Sequence, residues 1–127
     1  MDQILTGDSI PAERDSNMIF LCNVDDIQEN TTKGYELSGC SLFVVREKEE
    51  FYIYKNLCPH AGTELNWLPD VFLTNDKSLI QCATHGALFK KENGICIGGP
   101  CQGQHLSSIV FKIDHNKLFI SIPQNNR

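Results

Sequence analysis

Short runs of β-type apolar residues, separated by polar turn signals, set the rhythm of the chain. Met18–Val24 is the first run. Ser41–Arg46 (SLFVVR) and Phe51–Lys55 (FYIYK) follow, and the charged tetrapeptide Glu47-Lys48-Glu49-Glu50 between them reads as a hairpin tip. Near the end, Ile109, Phe111 and Ile113 alternate with Val110, Lys112 and Asp114. Leu118, Ile120 and Ile122 repeat the alternation beyond a tight turn at Asp114–Lys117. No window of about 11 residues or more sustains a helical period. The pattern predicts an all-β fold of roughly seven to nine short antiparallel strands, closed as a small sandwich or barrel. Residues 1–16 are polar, with Gly7, Pro11 and five charged residues, and read as a loose extension ahead of one domain over 17–123.

Composition narrows the function classes. At 127 residues the chain has room for one core, and 41% hydrophobic content supports a folded interior. A formal charge of -5 argues against nucleic acid, whose phosphates are held by clustered Lys and Arg, and favours a partner with a basic face. Asp2 and an apolar run of only Ile4-Leu5 do not make a secretory leader, and no run reaches the roughly 18 apolar residues of a membrane span. The expectation is a cytoplasmic protein without membrane contact, where six cysteines read as metal ligands rather than disulfides.

Two loops interrupt the strands, and each carries one Cys and one His: Cys58-Pro59-His60 and Cys82-Ala83-Thr84-His85, separated by residues 61–81. A third loop, Gly98-Gly99-Pro100-Cys101, is too rich in Gly and Pro for the interior of an element. By ligand type alone, two thiolates and two imidazoles suit tetrahedral zinc or an iron–sulfur cluster. Zinc fingers commonly pair Cys with Cys and His with His. Mixing the types within each loop lets two thiolates take one metal while two imidazoles take another, as a 2Fe–2S cluster with His on one iron requires.

Cys58-Pro59-His60 with Cys82-x-x-His85-Gly86 resembles the Rieske 2Fe–2S motif. The likeness extends through Asn66-Trp67-Leu68-Pro69-Asp70, His85-Gly86-Ala87-Leu88-Phe89 and Gly98-Gly99-Pro100-Cys101, covering about residues 18–122. It resembles stand-alone bacterial Rieske ferredoxins, with a longer spacing between the half-motifs that the Asp70–Lys77 turn absorbs. The resemblance implies a cluster-binding subdomain over about 56–102, built from the two Cys/His loops. One 2Fe–2S cluster would be held by Cys58 and Cys82 on one iron and by His60 and His85 on the other. Backbone N–H groups of the loops would support its sulfurs, with Gly62 and Gly86 permitting close approach. Gly99-Pro100 resembles the family's covering loop.

Two ferric irons, two sulfides and two thiolates beside neutral imidazoles sum to zero charge, so an electron is added more easily than to a four-thiolate cluster. Quinol-oxidising family members join the two loops by a disulfide. Thr63 and Thr84 stand at those positions here, so that bond cannot form. Those members also place hydroxyls after the second His, where this chain has Ala87 and Phe89. The resemblance therefore implies a low-potential one-electron carrier, at about -150 mV. It would not be an enzyme itself but a possible component of a multicomponent oxygenase. Its donor would be a flavin-containing NAD(P)H reductase and its acceptor a terminal oxygenase.

The remaining candidates read as structural. Cys22, Cys40 and Cys96 lie in apolar strand contexts and read as small buried hydrophobes. Cys101 and His105 have the spacing of a metal half-site but no matching half, and Cys101 reads as packing near the covering loop. Trp67 and Phe89 read as core, while His115, Asp25-Asp26 and Glu47–Glu50 read as solvated turns. The competing functions are a structural zinc domain, an iron–sulfur redox sensor, and the small subunit of a larger reductase.

Overall fold

Backbone pairing follows the short apolar runs. The computed structural model describes residues 18–59, 62–66, 68–83 and 86–121. The N-terminal extension, His60, Ala61, Trp67, Thr84, His85 and Ile122 lie outside the described residues. Among the described residues, nine strands run in chain order: β1 (Ile19–Asn23), β2 (Thr31–Leu37), β3 (Cys40–Glu47), β4 (Glu50–Lys55), β5 (Ile80–Gln81), β6 (Leu88–Phe89), β7 (Cys96–Gly98), β8 (Phe111–Asp114) and β9 (Lys117–Ile120). A 3-10 turn, Val24–Asp26, is the one helical element among the described residues. All strand pairs are antiparallel, as the sequence pattern predicts. Among the described residues no helix is long and apolar enough to cross a membrane.

The chain divides into two compact units. The first joins the segment up to Asp26 with the segment from Ile109 onward, and holds one sheet of order β1-β9-β8. Its β8–β9 hairpin turns at His115 and Asn116, both with positive φ (52° and 66°), the geometry that matches the twist of tightly turned strands. Cys22, Leu118 and Ile120 are buried, and Phe20 packs edge-on against Phe119, its partner in the ladder, at 5.8 Å. His115 is exposed, as its hairpin position predicts.

The second unit, Ile27–Ser108, holds two three-stranded sheets, β2-β3-β4 and β5-β6-β7. The charged tip at Glu47–Glu50 is observed as the β3–β4 turn. Strand β2 does not stand out in the sequence, because Thr31–Leu37 carries few apolar residues and Gly34 at its centre. The fold explains the glycine. Gly34 pairs with Phe43, and a Cβ there would lie 3.3 Å from the ring of Phe72, which stacks on Phe43 at 4.3 Å. The same segment covers the sheet edge. The Gly34 amide donates to the Asp70 carboxylate at 2.8 Å, and the Thr32 hydroxyl donates to the Asp70 carbonyl at 2.8 Å. The long connection between the two cysteine loops is thereby pinned to β2. Near its end, the Asp76 carboxylate accepts from the Ser78 hydroxyl, from the Thr74 hydroxyl and from the Ser78 amide, which holds its pKa down at about 2.

Candidate metal centre

Cys58 and Cys82 sit at the starts of two turns closed in the same way. In the first, the Cys58 amide donates to the Thr63 carbonyl and the Gly62 amide donates back to the Cys58 carbonyl, both at 2.8 Å. In the second, the Cys82 amide donates to the Ala87 carbonyl and the Gly86 amide donates back to Cys82, both at 2.9 Å. Each return requires a left-handed residue, supplied by Gly62 (φ 71°) and Gly86 (φ 74°). A third turn of this kind closes at Lys90–Ile95, where Lys90 donates to Ile95 and Gly94 donates to Lys90. The turn is therefore a general hairpin device of this unit, and cysteine at its first position is what distinguishes the first two.

The two cysteine turns are tied together through Leu65. The Ala83 amide of the second turn donates to the Leu65 carbonyl at 2.8 Å. The Leu65 amide donates to Asn56 Oδ1 at 2.8 Å. Buried Asn56 in turn donates through Nδ2 to Asn66 Oδ1 at 3.0 Å and to Ser41 Oγ at 3.3 Å. Asn56 thus links β3 to both turns, a role that a lone Asn at a strand end does not announce in sequence. Asn56→Ala leaves the Leu65 amide and its neighbours without partners, a cost of about 1–3 kcal/mol. A lower unfolding midpoint and faster iron loss to a chelator than in the wild type are the expected measurements. An unchanged protein by both would overturn the clamp.

Both sulfur-bearing residues are fully buried at 0% exposure and belong to one apolar cluster with Phe43, Phe72, Phe89 and Leu106. The donor set fits a 2Fe–2S group on this count: two thiols, equivalently presented by matched turns, shielded from water in a shared core. Among the described residues no group of three or more His, Cys, Asp or Glu side chains gathers for a metal. The imidazole half of the expected set, His60 and His85, lies outside the described residues, as does Thr84.

The third loop lies against the second turn. A Cβ on Gly99 would fall 2.7 Å from the Cα of Ala87. Ala87 and Phe89 are both buried at 0%, and Phe89 fills core as expected. The reading of Cys96 and Cys101 as unrelated packing residues misses their mutual contact, with the sulfurs 3.1 Å apart. The Cys101 thiol is pushed up to about 12, by burial first, then by its bond to Cys96 and by the charges of Cys96 and Cys58. Cys101 does not pair with His105, whose Nδ1 lies 3.0 Å from the Leu106 carbonyl. Cys22 is buried as expected, whereas Cys40, at the start of β3, is only half-buried. No disulfide joins any of the six cysteines.

Comparison with known proteins agrees with this architecture. The family model for the Rieske [2Fe-2S] domain matches residues 17–118. Apoptosis-inducing factor 3 from Homo sapiens is 24% identical over 119 residues, which is 94% of this chain and 19% of that protein. The Mus musculus form is 25% identical over 93 residues, 73% of this chain and 14% of its own length, so the chain spans less than a fifth of the curated relatives it matches. Among solved structures, the ferredoxin of carbazole 1,9a-dioxygenase from Nocardioides aromaticivorans IC177 superimposes with a TM-score of 0.69 at 19% identity, covering 84% of this chain and 99% of that one. A ferredoxin solved in complex with the oxygenase of carbazole 1,9a-dioxygenase gives a TM-score of 0.68 at 20% identity, over 87% and 98% of the two chains. The chain belongs to the Rieske [2Fe-2S] domain family, and its cofactor is one 2Fe–2S cluster.

Proposed function

We propose that the protein is a small one-electron carrier that passes electrons from a flavin-containing NAD(P)H reductase to a terminal oxygenase, and is not itself the catalyst. The observation that carries this reading is the matched pair of buried cysteine turns in a chain of the Rieske family. The solved neighbours that include a ferredoxin bound to an oxygenase support the choice of acceptor. Cys58 and Cys82 would hold one iron, and His60 and His85 the other. When bound, the cluster supplies one reversible electron.

The protein's own residues set the terms of that exchange. The two turns hold the backbones of their cysteines through their own hydrogen bonds, and the Ala83–Leu65 bond ties one turn to the other. Burial of both sulfurs keeps water from that side. Ala87 offers no hydroxyl, and Phe89 is turned into the core, so neither residue stabilises the reduced state by hydrogen bonding. Leu57, immediately before Cys58, is 44% exposed and gives a docking partner an apolar foothold beside the first turn. With a charge of -5, the chain would be steered toward a basic face on that partner.

The purified protein is expected to be red-brown, with about two irons and two acid-labile sulfides per chain. On reduction it should give the EPR spectrum of mixed Cys and His ligation, with a midpoint of about -150 mV. A colourless protein with stoichiometric zinc would end the carrier reading. A midpoint above zero would overturn the low potential.

A further inference from the structure

Cys96 ends up beside Cys101 for reasons that do not involve their sulfurs. Cys96 opens β7, where its amide donates to the Gln104 carbonyl at 2.8 Å and its carbonyl accepts from Gly103 at 3.3 Å. The Gln104 amide donates to the Cys101 carbonyl at 2.9 Å. These bonds fold the chain back on itself and set the two thiols face to face in the core, each 2% exposed. Their sulfurs are 3.1 Å apart, about 1 Å more than the bonded distance in a disulfide. Cys96 also contacts the Gly98 carbonyl at 3.1 Å. The residues between them include Gly99, whose backbone rests on Ala87 of the second cysteine turn.

We propose that Cys96 and Cys101 form a dithiol–disulfide couple that staples the loop covering the second cysteine turn. The oxidant is a small-molecule disulfide. One cysteine sulfur, having lost its proton, attacks a sulfur of the external disulfide and expels one thiol. The second cysteine then attacks the mixed disulfide, closes the internal bond and expels the other thiol. Two electrons and two protons leave the cysteine pair, and the external disulfide is reduced to two thiols. Burial of both sulfurs makes the exchange slow, since the loop must open for the first attack, and it shields the bond once closed. In a reducing cytoplasm the pair rests as thiols, and sustained oxidation closes it. Closure would restrain Gly99 and Pro100 from lifting away from Ala87.

The test uses the full, cluster-loaded chain incubated with oxidised or reduced glutathione, then denatured in acid, alkylated and mapped by mass spectrometry. After the oxidised incubation, Cys96 and Cys101 should be unalkylated and linked, the joined species lighter by two hydrogens, while Cys22, Cys40, Cys58 and Cys82 are alkylated. The Cys96→Ala and Cys101→Ala variants should lose that species. Alkylation of all six cysteines, or glutathione retained on either cysteine of the pair without internal closure, would overturn the couple. In parallel, the linked form should release iron to a chelator several-fold more slowly than the dithiol form, and equal rates would overturn the staple. Thiol mapping does not depend on electron transfer, so a protein that fails as a carrier would still give its own answer here.

Discussion

Cys58→Ser and Cys82→Ser should each yield a colourless protein that lacks the EPR signal of the reduced wild type, while Cys22→Ala and Cys40→Ala keep both colour and signal. The two target sulfurs are the fully buried thiols at the heads of the matched turns. A serine hydroxyl is a harder donor that stays protonated at neutral pH, so it does not replace a thiolate on iron. The turns themselves should survive, because the bonds from Cys58 to Thr63 and from Cys82 to Ala87 run through the backbone. The hydroxyl left in an apolar pocket costs about 1–3 kcal/mol, which separates loss of cluster from loss of fold when the metal-free proteins are compared by thermal unfolding. On the imidazole side, His85→Ala should also abolish the native spectrum. His60→Cys should shift it, since a third thiolate makes the cluster one unit more negative. Retention of the wild-type spectrum by Cys58→Ser, or its loss in Cys22→Ala, would refute the ligand assignment.

The legible parts of this protein are those in which one residue type carries the meaning. The short continuous apolar runs in SLFVVR and FYIYK predict β3 and β4, and Leu42–Val45 are buried on both faces of β3, while the charged tip between the strands has no other place. The two cysteine turns are legible as breaks between strands, because each carries a glycine where the chain needs a left-handed return. Strand β2 is not, since Thr31–Leu37 is held by pairing with β3, by the ring of Phe72 over Gly34 and by Asp70 on its edge, all from residues distant in sequence. The linkage through Asn56 and Leu65 is invisible for the same reason: its meaning lies in partners about ten residues away or more, and nothing in the type Asn selects them. Cys96 and Cys101 lie between. Two cysteines flanking a Gly-Gly-Pro segment signal a tight return that can bring thiols together, but an apolar strand context favours the packing reading until the fold-back at Gln104 is seen.

Gly99→Ala should be markedly more damaging than Gly103→Ala, although the two backbones make nearly the same demand. Gly99 has φ of 91° and Gly103 has φ of 94°, so either alanine is forced into a region that L-residues avoid, at about 1–2 kcal/mol. Their surroundings differ. Nothing lies within 4 Å of a Cβ on Gly103, whereas one on Gly99 falls 2.7 Å from Ala87 Cα, 3.2 Å from Ala87 N and 3.3 Å from the Gly86 carbonyl oxygen. Carbon atoms in ordinary contact sit about 3.5–4.0 Å apart, so the third loop must retreat or the second turn must give. All three obstructing atoms are backbone, and the Ala87 carbonyl and Gly86 amide are already engaged in closing the Cys82 turn, so no rotamer change relieves the clash. Overpacking of this kind adds about 1–3 kcal/mol. For a chain of this size the combined cost lowers Tm by roughly 10 °C or more, against a few degrees for Gly103→Ala. The strain falls on the turn that presents Cys82, so Gly99→Ala should also lose iron faster than Gly103→Ala at a temperature where both remain folded. Equal unfolding midpoints and equal iron-release rates for the two variants would show that the third loop stands clear of the second turn in solution.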